Sequence, residues 1–286
     1  MELNIKAIAF KGAAAIMLMA GVIFLLRSAF VSEVVTPCSE RYTELTEFNL
    51  DSGNGILSPA QLVAMIGPSQ RDIYNNAKVV RVRGVPGQRA LKVAVENKGM
   101  ETGEPGETNG IGFLWSPQTL TGAKSACLTY SVYLPKDFDF GGGGVLPGLY
   151  AGKPLKLSAA ADPEAAIAQR IVWRNNNRGN LYAQLPGDET NGGAFLSQKG
   201  FELPTGRWVQ VEQELELNTP GVADGSTRVW VDGDMVVEKK WLNWRKSENL
   251  QLAGVMADVG YGVPRRVVSP PKDTKLYLSP MQLRWQ

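Results

Sequence analysis

Arg228-Val229-Trp230-Val231-Asp232-Gly233-Asp234-Met235-Val236-Val237 is the stretch on which the fold turns. Two β-rich runs flank Asp232-Gly233, and Asp-Gly suits a two-residue hairpin turn because both turn positions need positive φ. Just upstream, residues 208–217 alternate strictly enough to assign faces. Val209, Val211, Leu215 and Leu217 fall on one side, and Gln210, Glu212, Glu214 and Glu216 on the other. Gln213 interrupts the apolar side, which marks one polar or bulged position there.

The same signature extends outward in both directions. Runs at 78–83 and 90–95 are separated by Gly84-Val85-Pro86-Gly87, and 112–115 and 126–134 follow. Residues 167–174 and 180–184 flank the polar turn Asn175-Asn176-Asn177-Arg178-Gly179, and 250–255 and 275–285 supply the last strands. Residues 59–66 and 163–168 suit short turns of helix, and no longer helical period follows the N-terminal segment. Many short strands between Gly, Pro, Asn and Asp turns predict an all-β jelly roll or concanavalin-like sandwich. With no internal repeat or internal linker, residues 48–286 read as one domain.

The N-terminus differs. Lys6 and Lys11 precede an apolar run from Gly12 to Leu26 that stops at Arg27. At about 15 residues it is long for a signal-peptide core and short for a full span. No small-x-small cleavage pattern follows, and the flanking charges favour a cytoplasmic N-terminus. Residues 1–30 therefore read as a signal anchor or signal peptide, and 31–47 as a linker. The body is expected to be exported, periplasmic or extracellular, with membrane contact through this segment. In an oxidising compartment Cys38 and Cys127 most simply form one disulfide.

Composition narrows the chemistry. None of the 286 residues is histidine, which excludes Ser-His-Asp and Cys-His nucleophiles and histidine zinc sites. The cysteines lack Cys-x-x-Cys spacing, and Asp224 and Asp232 sit beside glycines where turn chemistry accounts for them, so neither a metal nor a cofactor is expected. Thirty basic against 28 acidic side chains leave a formal charge of +2, too little for bulk electrostatic binding of nucleic acid. The sequence leaves the oligomeric state open.

From Phe138-Asp139-Phe140-Gly141-Gly142-Gly143-Gly144-Val145-Leu146-Pro147-Gly148-Leu149 onward, the chain resembles polysaccharide lyase family 14, the alginate and glucuronan lyase-like jelly rolls. The resemblance continues through Arg170-Ile171-Val172-Trp173-Arg174, Leu181-Tyr182, Gly206-Arg207-Trp208, Leu217-Asn218-Thr219-Pro220-Gly221 and Val229-Trp230-Val231-Asp232-Gly233. It implies an acidic, uronate-containing polysaccharide as partner and β-elimination as the reaction. It also implies catalytic roles for Arg170 and Tyr182. Such a reaction needs a cation near the substrate carboxylate, a base for the C5 proton and an acid for the leaving oxygen. Tyrosine and arginine supply these without histidine when a cation lowers the phenol pKa.

Four positions depart from the family pattern. Gly142 and Val145 stand where the glycine motif carries lysines, Ala168 where the strand carries serine, and Gln184 where a second tyrosine is expected. Tyr150, Lys153, Arg174 and Gln184 are the expected substrate-binding residues, with Lys153 and Lys156 placed to stand in for the missing lysines. Strand parity puts Arg170 and Arg174 on one face about 13 Å apart, with Ile171 and Trp173 on the other. The alternatives stay open at this level. Arg170 and Arg174 are either substrate ligands, solvated residues or partners of the glutamate face of 208–217, and Tyr182 is either catalytic or a packing tyrosine. Gly141–Gly144 suits a flexible turn or a close approach to a ligand. Trp241 and Trp244, among Lys239, Lys240, Arg245 and Lys246, suit either sugar rings or the core. Two functions follow: a lyase acting on a polyuronate, or a non-catalytic carbohydrate-binding or structural envelope protein on the same fold.

Overall fold

In the computed structural model, the turn residues Asp232 and Gly233 have φ of 51° and 87°, as the Asp-Gly hairpin requires. The structure describes Met19 and residues 35–53, 55–97, 108–153, 166–174, 176–185, 193–197, 199–262 and 270–286. The chain divides into two units, Met1–Thr36 and Pro37–Gln286. The apolar run 12–26, Met19 apart, lies outside the described residues, among which no helix is long and apolar enough to cross a membrane.

The second unit begins with α1 (Cys38–Arg41) and β1 (Glu44–Phe48), then α2 (Pro59–Ile66), β2 (Gln70–Arg71), α3 (Ile73–Asn76), β3 (Ala77–Arg81), β4 (Arg89–Val95) and β5 (Ile111–Trp115). Next come β6 (Ser125–Tyr133), β7 (Gly144–Gly152), β8 (Ala166–Trp173), β9 (Arg178–Ala183), β10 (Ala194–Phe195), β11 (Phe201–Glu202) and β12 (Trp208–Glu216). The last are β13 (Gly225–Val231), β14 (Asp234–Leu242), β15 (Leu252–Tyr261), β16 (Thr274–Leu278) and β17 (Met281–Trp285). They build two antiparallel sheets, so the all-β sandwich expected from the sequence is the fold. One has nine strands in the order β14-β13-β12-β6-β16-β4-β3, with β17 on β6 and β1 on β17. The other has eight, β10-β9-β8-β7-β15-β5-β2, with β11 on β9.

The core lies between the sheets. β12 contributes Val209, Val211 and Leu215, β6 contributes Leu128, Tyr130 and Val132, and the eight-stranded sheet answers with Leu149, Ile171, Trp173, Val255 and Val259. Gln213, the polar break in the β12 stripe, is fully buried there. Its cause lies across the core. Between Val145 and Gly148 the β7–β8 register slips, which takes Leu146 and Pro147 out of the ladder. Pro147's carbonyl then accepts from Gln213 Nε2 at 2.6 Å and from Tyr130 Oη at 3.1 Å. A second bridge joins the sheets, where Thr227 Oγ1 donates to Gln169 Oε1 at 2.7 Å and Gln169 Nε2 to the Glu214 carbonyl at 3.0 Å. Both polar links satisfy groups that burial would otherwise penalise.

Several segments differ from the sequence reading. Gly144, the last of the glycine run, and Leu146-Pro147-Gly148-Leu149, which carry no strand signal of their own, enter the strand β7. Gly148 is dictated by packing: a Cβ there would lie 1.8 Å from the Gln169 carbonyl oxygen. Residues 275–285 are two strands because Ser279-Pro280 interrupts them, and proline has no N–H for the ladder. Ala166 to Ala168, expected in a short helix, begin β8, whereas α2 forms as expected, with Ser58 and Gln61 making a reciprocal capping box.

Residues 37–47, which the sequence leaves in the linker, pack on the nine-stranded sheet, and β1 joins it. Cys38 and Cys127 form the expected disulfide, with Cα atoms 5.7 Å apart. β1 pairs along β17 from Glu44–Trp285 to Phe48–Met281. This segment covers the outer face of β12. Ser39 N donates to Glu212 at 3.1 Å, Tyr42 Oη to Glu214 at 2.6 Å, and Arg41 pairs with Glu214. Arg228 approaches Glu214 from β13 at 2.7 Å. The fully buried Glu214 is thus neutralised by Arg41 and Arg228.

Candidate functional site

Register places the candidate residues. Along β8, Gln169, Ile171 and Trp173 point into the core, while Ala168, Arg170 and Val172 take the opposite face. Arg170 stands opposite Tyr182 in β9 and Gly148 in β7, and Gly148 opposite Met256 in β15. One pleat along, Tyr150 is opposite Ala168, whose carbonyl accepts from Gln184 N at 2.9 Å. Tyr150, Arg170, Tyr182 and Gln184 therefore share one face, and directly opposed residues lie about 5 Å apart. At 3%, 5%, 3% and 9% exposure, none of the four is a solvated strand residue.

Arg170 is engaged by a residue the sequence reading missed. Its Nη1 lies 3.3 Å from Asp258 Oδ2 in β15. Arg71 Nη2 and Thr108 Oγ1 reach Asp258 Oδ1 at 2.9 and 2.8 Å. Asp258 is fully buried. Burial pushes its carboxyl up, and Arg170, Arg71 and Thr108 pull against that shift. Asp72, 3.8 Å from Arg71 Nε, brings a second carboxylate to the Arg71 guanidinium. The sequence signal was present: Asp258 is a lone carboxylate in the apolar run Val255-Met256-Ala257-Asp258-Val259. Arg71 and Thr108 carried none, because they meet Asp258 only through the fold.

Tyr182 sits in a different setting. It forms a buried cluster with Val145 and Val172, and its ring centroid is 5.3 Å from that of Phe195. Phe195 in turn lies under the guanidinium of exposed Arg174, 5.3 Å away. Gly193 passes so close that a Cβ there would be 2.6 Å from the Tyr182 hydroxyl. Val145, where the family resemblance calls for a lysine, is thus apolar, buried and packed on the tyrosine.

Tyr150 and Lys153 lie at the end of β7 in a cavity of about 390 Å³, whose lining also includes Ser116, Gln118, Asn249 and Gln251. That volume is in the range of small-molecule sites. Tyr150 Oη and Ser116 Oγ share a short hydrogen bond. Burial pushes the Tyr150 phenol up, with the Ser116 bond opposing. A phenol held in this direction is protonated at neutral pH, so it donates hydrogen bonds and is no base. Lys153 is exposed at the rim. Arg170, Tyr182 and Gln184 are not among the described lining residues, and Lys156 lies outside the described residues. One group of carboxylate and thiol side chains among the described residues is close enough to hold a metal, Cys38, Cys127 and Glu212, and its sulfurs are joined to each other.

The comparisons with known proteins agree with this fold. The sequence model of a family described as Polysaccharide lyase 14 matches residues 85–281. Among solved structures, the alginate lyase of Aplysia kurodai is 20% identical with a TM-score of 0.66, covering 88% of this chain and 100% of its own. The alginate lyase vAL-1 from Chlorella virus is 24% identical with a TM-score of 0.61, covering 74% and 90%. The alginate lyase Aly36B is 15% identical with a TM-score of 0.63, covering 85% and 97%. No curated protein matches the chain.

Proposed function

The chain belongs to the polysaccharide lyase 14 family, and from that membership we propose that it binds an acidic, uronate-containing polysaccharide along the outer face of its eight-stranded sheet without cleaving it. One observation carries the second half of this reading: Val145 packs on Tyr182 and Val172 where a lysine would stand beside the tyrosine. β-Elimination needs a base at the C5 proton, and a tyrosine serves as one when a neighbouring cation lowers its pKa. Among the described residues Tyr182 packs on Val145, Val172 and Phe195, and the cation opposite it in the register, Arg170, is engaged by Asp258.

Binding draws on what the face retains. Tyr150, Ser116, Gln118, Asn249 and Gln251 offer neutral hydrogen-bonding groups in the cavity, and Lys153 and Arg174 offer exposed cations. Neutral groups suit hydroxyls, and cations suit carboxylates. The Cys38–Cys127 disulfide supports an oxidising compartment, and together with the apolar run 12–26 it supports an exported, periplasmic or extracellular body tethered at a membrane.

The cavity favours a second reading. Tyr150 is a protonated phenol able to protonate the leaving oxygen, and Lys153 in the same cavity, with its amine neutral, is the base that takes the C5 proton, so elimination centred on this pair is the alternative. Incubating the protein with alginate and glucuronan, while following both calorimetric binding and the absorbance of the unsaturated product, separates the readings. Heat of binding without new absorbance supports the first, and sustained absorbance growth abolished by Tyr150→Phe supports the second.

A further inference from the structure

The two tryptophans that the sequence places together are separated by the fold. Trp244 is fully buried and its Nε1 donates to the Ser226 carbonyl at 3.2 Å. Trp241 is 78% exposed, more than any other large hydrophobic side chain among the described residues. It lies in β14, an edge strand of the nine-stranded sheet. Lys240 pairs with Ser226 and Leu242 with Gly225, so Trp241 is the extra residue of a bulge, at φ 63°. Glycine takes such a position without strain, whereas a bulky side chain does not. Trp241 thus combines an unfavourable backbone with a ring that contributes little to the core. Strain kept at an exposed residue, with no packing to offset it, points to a ligand.

The neighbours indicate which ligand. Lys239 is exposed and makes no ion pair among the described residues, and Lys240 is half exposed with Glu238 3.2 Å away. We propose that the edge strand at Trp241, with Lys239 on one face of it and Lys240 on the other, is a second binding platform for an acidic polysaccharide, in the sheet opposite the cavity. The indole face stacks on a pyranose ring, and the ammonium groups meet the carboxylates of the same chain. The same lysines disfavour strand addition by a second copy, which would set like charges edge to edge. The inference rests on the polyuronate reading above but not on the cavity or on turnover.

The test uses the full chain, polymeric alginate and carboxyl-reduced alginate as probes, with Trp241→Gly and Lys239→Ala as variants. Glycine relieves the backbone, so Trp241→Gly is expected to match or exceed the wild-type Tm while binding polymeric alginate about fivefold or more weakly, the scale of one lost aromatic contact. Lys239→Ala is expected to weaken alginate and leave the carboxyl-reduced polymer unchanged. Wild-type affinity in Trp241→Gly overturns this proposal and leaves the polyuronate reading standing. Wild-type protein that binds no polyuronate overturns both. Self-association of the wild type that Trp241→Gly abolishes, with alginate binding intact, assigns the surface to a second copy and overturns it as well.

Discussion

Val145 and Tyr182 are held in one buried apolar cluster with Val172, on the same sheet face as Arg170. At the position where the family resemblance places a lysine, Tyr182 is therefore packed by a valine. If Val145 serves packing alone, Val145→Ala lowers stability by about 1–2 kcal/mol, as expected for two buried methyl groups. Alginate affinity stays within error of wild type. Denaturant unfolding and calorimetry on the same preparation check both halves.

The polar bridge across the core gives a coupled prediction. Gln213 and Tyr130 both donate to the Pro147 carbonyl, so Gln213→Leu and Tyr130→Phe each leave it one remaining donor. Each substitution is expected to cost about 1 kcal/mol, and the double variant more than the sum, because the carbonyl then has neither. Additivity in a double-mutant cycle contradicts the shared acceptor.

The disulfide closes a loop with a sequence separation of 89. Replacing both cysteines by alanine is expected to cost about 2–5 kcal/mol. It should also raise hydrogen exchange in 37–48 first, since Arg41, Tyr42 and β1 then hold that segment alone. Uniform loss of protection across the sandwich would show that the segment is not a separate strap.

Alkaline titration tests the buried phenols. Tyr42, Tyr130, Tyr150 and Tyr261 are all pushed up, in each case chiefly by burial. A group whose folded pKa lies above its unfolded value contributes stability below the unfolded pKa, near 10 for tyrosine, and loses it as pH rises further. Stability should therefore fall above about pH 10, with these four ionising only as the protein unfolds. Tyrosinate absorbance that reaches its full amplitude while the far-ultraviolet circular dichroism stays native would contradict the burial.

Much of the fold was legible in local pattern. The Asp232-Gly233 hairpin, the β12 alternation and α2 follow from turn chemistry, period and capping, which are properties of neighbouring residues. β7 was not legible, because Gly144, Pro147 and Gly148 carry no strand propensity; Gly148 is required by the Gln169 carbonyl of the next strand. Gln213 was visible as an anomaly, but its cause is a bulge on the other sheet. The glutamate face was legible as polar, but not its cover, since Arg41 and Tyr42 come from the far end of the chain. At the site, strand parity together with a hairpin at Asn175–Gly179 is what the sequence offers for gathering Arg170, Tyr182 and Gln184 on one face. The Arg71–Asp258–Arg170 cluster was hidden because its members come from three strands, β2, β8 and β15, with only the lone Asp258 signalling it.

The most direct measurement follows polymeric alginate and glucuronan with the purified protein, recording binding heat and product absorbance at two salt concentrations. The account predicts binding that weakens with added salt, weakens again in Lys153→Ala, and produces no double-bond absorbance. Sustained growth of that absorbance, or no binding to either polymer, would contradict it.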